Sequence, residues 1–516
     1  MKDILTGSVG TFLSPRIKAI TKYSSQGETI QKERLHSLVH RAAWTRWGVE
    51  HGYTSIFSYE DFRRNVPLST YEDLKDYIEM MLSGRPDILW RGRVSDFAIS
   101  SGTTSDRSKF IPVSQEGLHG LHMKGGPDVT ACYLRSNPSS RVFHGQGFIL
   151  AGSFKQSLCT PTARCGDVSA FLRSSIPLPL EAIVKTFPSV DIALEPDFEK
   201  KREHIAQLAL QANVTSLSGV PSWMLSVLSR VLEVTGKANL LEVWPNLEFF
   251  AHGGVGFAPY REIYRKLIPS PDMHYIETYN ASEGFFGVQT DPYDSALTLM
   301  LDYDIFYEFI PMSKYGTPEM EAIPLWEVRP GENYALVIST SSGLWRYIVG
   351  DTIRFTRMDP PRFVITGRTR QFINAFGEEV IVENAEGALK SACSATGALV
   401  KDYTAAPFVS RIPGQSCHQW MVEFEREPVS SREGESPLES FTRELDESLR
   451  ALNSDYDAKR YHDITLRRLQ LFVARPGLFD EWMKGRGKMG GQGKVPRLSN
   501  DRTFIEPLLR LNGDVK

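Results

Sequence analysis

The sequence predicts an α/β protein of two domains: a large N-terminal domain of mixed sheets and helices over residues 1–365, and a smaller α+β domain over 366–516. Three observations carry that expectation. The first 90 residues are helical in pattern. From about residue 94 to 365 apolar, strand-like runs alternate with helix-like runs. A polar, proline-rich stretch, Arg357-Met358-Asp359-Pro360-Pro361-Arg362, then marks a change of composition. A chain of 516 residues is also too long for one core.

The elements follow in chain order. Residues 30–49 carry Ile30, Leu35, Leu38, Val39, Ala42, Ala43 and Trp47 at helical spacing. A second helix is expected over 67–81, with Ser69 or Thr70 as its cap and Glu72 in its first turn. Strands are expected at 97–100, 214–217, 247–251 and 273–279, and helices at 199–212, 222–235 and 259–267. Gly236 ends the second of those helices. Such alternation implies much parallel sheet. Residues 303–309 and 334–339 read as antiparallel strands, and 430–436 as an exposed loop.

Composition narrows the function class. Hydrophobic residues make up 41% and charged residues 23%, as in a folded soluble protein. Lys and Arg number 59 against 62 Asp and Glu, so the chain lacks the general basic field of a nucleic-acid binder. No uncharged apolar stretch reaches the roughly 18 residues of a membrane helix, and the N-terminus lacks a signal-peptide pattern. The five cysteines are odd in number and form no C-x-x-C pair, which favours reduced thiols in the cytoplasm over a disulfide framework. The expectation is a cytoplasmic protein with neither nucleic acid nor membrane as partner.

Six short segments can carry chemistry. Ser100-Ser101-Gly102-Thr103-Thr104, followed by Lys109, joins hydroxyls, a glycine and a cation in one loop suited to phosphate oxygens. The same residue types also dominate ordinary turns. Gly253 and Gly254 follow a strand and offer a flat surface for an adenine ring, or satisfy turn geometry alone. In Tyr279-Asn280-Ala281-Ser282-Glu283-Gly284, Glu283 is a hard oxygen ligand suited to Mg²⁺. Ser282 is placed to bond an α-phosphate and Tyr279 to stack on adenine. Asp351, after Gly350, can accept both hydroxyls of a ribose, or belong to a Gly-Asp hairpin turn.

Arg368 can reach phosphate or ribose, and Arg370 and Gln371 fall where a hinge would turn. Without the neighbouring segments, this stretch reads as a solvated linker. Lys494 sits in a glycine-rich loop, between Gly493 and Val495-Pro496-Arg497, that is flexible enough to deliver it late. No G-x-x-x-x-G-K-[ST] loop and no G-x-S-x-G elbow occurs, and Gly485 to Gly490 matches G-x-G-x-x-G away from any convincing strand. His119 and His122 are three apart, but no further ligand completes a zinc set.

Taken in order, these segments resemble the adenylate-forming superfamily, and within it the acyl acid amido synthetases: the auxin- and jasmonate-conjugating enzymes of plants and their bacterial relatives. Ser100 to Thr104 with Lys109 and Pro112 is similar to the family's phosphate loop. Tyr279 to Gly284 resembles its second motif, and Tyr347-Ile348-Val349-Gly350-Asp351 its ribose motif. Gly367-Arg368 through Gly377-Glu378 resembles its hinge motif, and Gly493-Lys494-Val495-Pro496-Arg497 its terminal motif. Ser105 stands where the wider superfamily has glycine, which points to the amido synthetase branch.

The resemblance implies an adenylate-forming fold with a mobile C-terminal domain. It also implies ATP and Mg²⁺ as cofactors, and activation of a small carboxylic acid as acyl-AMP. An amino acid or other amine then takes the acyl group. Catalysis would fall to Lys494 and Glu283, with Glu283 holding the metal. The nucleotide would be held by Ser100, Ser101, Gly102, Thr103, Thr104, Lys109, Gly253, Gly254, Tyr279, Asn280, Ser282, Asp351 and Arg368, with a hinge at Arg370 and Gln371. The alternatives are an acyl-CoA ligase and a non-catalytic nucleotide-binding relative.

Overall fold

The computed structural model describes residues 4–100, 109–155, 159–254, 257, 260–369, 372–378, 380–412, 414–432, 434–485 and 496–513. The chain divides into two compact units. One comprises residues up to 220 with 227–254 and 266–369. The other holds 370 onward together with 221–226 and 260–265.

The first unit opens with the helices Ile4–Thr21 and Tyr23–Ala42. The helix expected over 30–49 starts earlier and stops at Ala42. A separate short helix, Arg46–Glu50, follows, with the Thr45 side chain accepting from Gly48 N–H. Helix Tyr71–Leu82 begins as expected at Thr70, which forms a capping box with Asp73. Arg16 fixes the first helix through ion pairs to Asp128 at 2.7 Å and Asp302 at 2.6 Å.

Among the described residues this unit holds a sheet of twelve strands. From one edge they are Ile323–Pro324, Ile305–Pro311, Asn333–Thr340, Tyr347–Met358, Pro361–Arg368, Leu297–Leu299, Gly284–Val288, His274–Ala281, Phe249–Gly253, Val214–Gly219, Gln146–Ile149 and Thr186–Phe187. From His274–Ala281 to the far edge all neighbours are parallel. Parallel neighbours require crossovers, and the helix Pro221–Thr235 lies in the chain between two of them. It carries proline in its first turn and ends at Gly236, φ +64°.

The other half is antiparallel. Ile305–Pro311 pairs antiparallel with Asn333–Thr340, as the pattern predicts. The proline-rich stretch at 357–362 is the tight turn between Tyr347–Met358 and Pro361–Arg368, with Met358 opposite Pro361. It lies within the sheet and is not a linker.

A second, three-stranded sheet orders Lys109–Val113, Asp96–Ser100 and Arg164–Gly166. Here the cysteine expectation is corrected: Cys159 and Cys165 form a disulfide, whereas Cys132, Cys393 and Cys417 are free. The two bonded thiols are six apart without a recognisable motif, and the turn into Arg164–Gly166 brings them together. The core beneath the sheets is rich in aromatic rings; Trp90, Tyr133, Phe306, Trp345 and Tyr347 are each at most 1% exposed.

The second unit contains the paired strands Phe372–Ile373 and Val380–Ile381. It also contains a sheet of Leu399–Phe408, Cys417–Arg426 and Gln470–Ala474. Helix Val382–Thr396 packs on helix Pro437–Leu452. Met421, Leu478, Phe479, Ile505, Leu508 and Leu509 form an apolar core on this sheet. Among the described residues no helix is long and apolar enough to cross a membrane.

Candidate functional site

The first unit gathers five of the expected site residues from four stretches of chain. Tyr279 lies in the strand His274–Ala281, which runs two residues further than expected. That strand turns directly into Gly284–Val288, with Ala281 opposite Gly284, so Ser282 and Glu283 form a two-residue hairpin turn. Asp351 and Arg368 sit in adjacent antiparallel strands and face each other in register. Asp351 therefore belongs to a twelve-residue strand and not to a hairpin turn, and Gly350 takes the sharp backbone bend before it, φ +99°.

Asp351 is held at both oxygens. The Tyr279 hydroxyl donates to Oδ2, and Arg368 Nε donates to Oδ1 at 2.8 Å. The Tyr279 ring is 6% exposed and packs edge-on against Phe286 and Phe363, at centroid distances of 4.9 and 6.1 Å. Burial and the Asp351 charge push the Tyr279 hydroxyl well above its usual range, so it stays protonated and donates.

Glu283 is 8% exposed. Burial pushes its carboxyl up to about 7. The charges of Lys109 and Arg368 pull it down, and that of Asp351 pushes it further up. Its charge also reaches the Tyr347 hydroxyl, which is buried without a hydrogen-bond partner among the described residues.

The strands Asp96–Ser100 and Lys109–Val113 are antiparallel and place Ser100 directly opposite Lys109. The Lys109 ammonium lies 5.7 Å from the Tyr71 ring centroid. The two ends of the hydroxyl-rich loop are thus joined. Ser101, Gly102, Thr103 and Thr104 lie outside the described residues, as do Arg370, Gln371 and Lys494.

Both adjacent glycines have geometric reasons to be glycine. A Cβ on Gly253 would meet the carbonyl oxygen and Oγ1 of Thr278 at 2.5 Å, and Gly254 has φ +82°. The two strand ends therefore approach more closely than any side chain allows.

Burial sets His122 apart from His119. Residues 118–122 form a single π-helical turn in which His119 is exposed and His122 is buried. Burial pushes the His122 ring down to about 4, partly offset by the Asn280 side chain. Glu378, at the end of the expected hinge motif, is likewise buried, in the second unit. The fully buried Glu378 carboxylate accepts from Phe376 N–H at 2.6 Å and lies 2.8 Å from His418 Nε2, while the Tyr260 hydroxyl donates to Phe376 O at 2.7 Å. A single sequence carries no signal that would link residues so far apart.

Among the described residues no group of three or more His, Cys, Asp or Glu side chains can cage a metal. Glu283 offers one hard carboxyl donor, and a magnesium ion carried on nucleotide phosphates asks only one or two carboxylates of a protein.

Three family models match the chain in succession. The GH3 family N-terminal domain matches residues 16–273, the central domain 298–368 and the C-terminal domain 383–503. An indole-3-acetic acid-amido synthetase of Oryza sativa subsp. indica, GH3.8, is 26% identical over 96% of this chain and 92% of its own length. The Arabidopsis thaliana 4-substituted benzoates-glutamate ligase GH3.12 is 24% identical over 93% and 94%. A solved structure of the AtGH3.15 acyl acid amido synthetase in complex with 2,4-DB shares the fold, with a TM-score of 0.62 and 19% identity over 98% of this chain and 96% of that one. The N-terminal domain model alone spans half of the 516 residues, and the other two continue it in order: the chain belongs to the GH3 family.

Proposed function

We propose that this protein is an AMP-forming acid–amino acid ligase. It activates a small, aromatic carboxylic acid as an acyl-adenylate and passes the acyl group to the amine of an amino acid. The observation that carries the reading is Asp351, a buried carboxylate fixed by Tyr279 and Arg368 within the first unit. The substrate class follows from relatives named for indole-3-acetic acid and for 4-substituted benzoates. The reaction belongs in the cytoplasm, where ATP is supplied.

In the first step a carboxylate oxygen of the acid attacks the α-phosphorus of ATP. A bond forms from that oxygen to phosphorus, the bond to the bridging oxygen breaks, and pyrophosphate leaves. Catalysis of such a displacement rests on positioning and charge neutralisation. Asp351 takes the ribose hydroxyls, and Lys109 with the hydroxyls of Ser100 to Thr104 surrounds the phosphates. Glu283 is the carboxylate that fits Mg²⁺, which supplies neutralisation of phosphate charge. The motif assigns Lys494 to the developing charge between acid and α-phosphate. Losing such a donor costs about 3–4 kcal/mol of barrier.

In the second step the neutral amine attacks the acyl carbon, AMP leaves, and the amine proton passes to solvent or a base. We assign Arg370 and Gln371 to the turn that separates the two steps.

The test is ATP–pyrophosphate exchange on a panel of carboxylic acids, followed by AMP release with amino acids or with coenzyme A. Exchange with one class of acid, and AMP release stimulated by an amino acid but not by coenzyme A, is expected. Stimulation by coenzyme A would make the protein an acyl-CoA ligase. Binding of ATP without exchange on any acid would make it a non-catalytic nucleotide binder.

A further inference from the structure

An ionised carboxylate has about four acceptor positions, two on each oxygen. At Asp351 two of them are filled among the described residues, and they are on different oxygens. The Tyr279 hydroxyl occupies Oδ2, and Arg368 Nε occupies Oδ1 at 2.8 Å. One position per oxygen remains, which is the acceptor pattern that a vicinal diol requires. Tyr279 and Arg368 approach from separate strands, so together they fix both the rotation of the carboxyl group and its plane.

The Tyr279 ring is tightly packed. It is 6% exposed, and Phe286 and Phe363 both pack against it. Its polar end, by contrast, is committed to Asp351.

We propose that Tyr279 is a positioning residue for the nucleotide site: its hydroxyl, with Arg368, orients Asp351 so that one acceptor on each carboxylate oxygen receives one ribose hydroxyl. The inference rests on the ligase reading, in which Asp351 binds the ribose. It assigns specificity for a ribonucleotide to a residue that acts through Asp351.

The experiment measures equilibrium binding of ATP, 2′-deoxy-ATP and 3′-deoxy-ATP to the full-length protein and to its Tyr279→Phe and Asp351→Asn variants. The wild type should bind ATP about tenfold more tightly than either deoxy analogue, the worth of one hydrogen bond to a charged group. Tyr279→Phe keeps the ring and removes only the hydroxyl. It should lose most of that discrimination, ATP then binding little better than either deoxy analogue. Adding Tyr279→Phe to Asp351→Asn should change nothing further. If Tyr279→Phe keeps the wild-type discrimination, or weakens all three nucleotides equally, Tyr279 is a packing or stacking residue and the inference fails alone. If the wild type binds no ATP, the ligase reading fails and takes the inference with it.

Discussion

Arg368 Nε donates to Asp351 Oδ1 at 2.8 Å, across two antiparallel strands whose register sets the two residues directly opposite. In the ligase reading this contact holds a carboxylate for binding and plays no part in the chemical step. Arg368→Met should therefore raise KM for ATP in pyrophosphate exchange about tenfold, the effect of roughly 1.5 kcal/mol from one charge-assisted hydrogen bond. The turnover number should hold within about threefold. A fall in turnover at unchanged KM would place Arg368 on the reacting phosphate instead.

Glu283, pushed up to about 7 by burial, is only partly ionised at neutral pH. A carboxylate binds Mg²⁺ and a carboxylic acid does not. Apparent Mg²⁺ affinity in the exchange reaction should rise about tenfold per pH unit below 7 and level off above it. Titrating Mg²⁺ between pH 6 and 8 measures this. Glu283→Gln should abolish both the dependence and most of the activity. An unchanged pH profile in Glu283→Gln would remove Glu283 from the metal.

Glu283 and His122 also set opposite slopes of stability against pH. Between its ordinary 4.5 and about 7, Glu283 holds more proton in the folded protein than in the unfolded chain, so stability falls as pH rises through that window. His122 behaves the other way: between about 4 and its ordinary 6.5 the unfolded chain binds more proton, so stability rises with pH. The two slopes oppose each other from 4.5 to 6.5. In chemical denaturation, Glu283→Gln should stabilise the ligand-free protein above pH 7, by at most about 3 kcal/mol. It should also expose a stability that climbs with pH through the histidine window. A variant no more stable than the wild type at pH 8 would mean Glu283 is already solvated.

Two glycines should respond oppositely to alanine. A methyl group on Gly253 would meet a backbone carbonyl at 2.5 Å, and one on Gly126 meets nothing within 4 Å. Gly253→Ala should cost about 1–3 kcal/mol, because strand backbone has to move. Gly126→Ala, in helix Gly125–Ser136, should gain up to about 1 kcal/mol from helix propensity. Thermal unfolding of both variants checks the contrast, and equal melting temperatures would refute the close approach at Gly253.

Local features were legible wherever local physics decides them. Thr70 with Asp73 forms the cap of its helix, and Pro221 and Gly236 bracket theirs. The proline-rich stretch at 357–362 is a tight hairpin turn between two strands, a pairing its composition alone does not reveal.

What the sequence by itself determined was the kind of residue available and its order along the chain: a hydroxyl-rich loop, a lone glutamate, a Gly-Asp pair, a terminal lysine. Those depend on side-chain chemistry and short spacing. Only the tertiary structure decided that Tyr279 meets Asp351, 72 residues later, that Arg368 completes the clamp, and that Glu283 is buried in a hairpin turn. The reason is that strand register and burial come from packing the whole sheet at once, and no short stretch of residues encodes which distant strand will lie beside it.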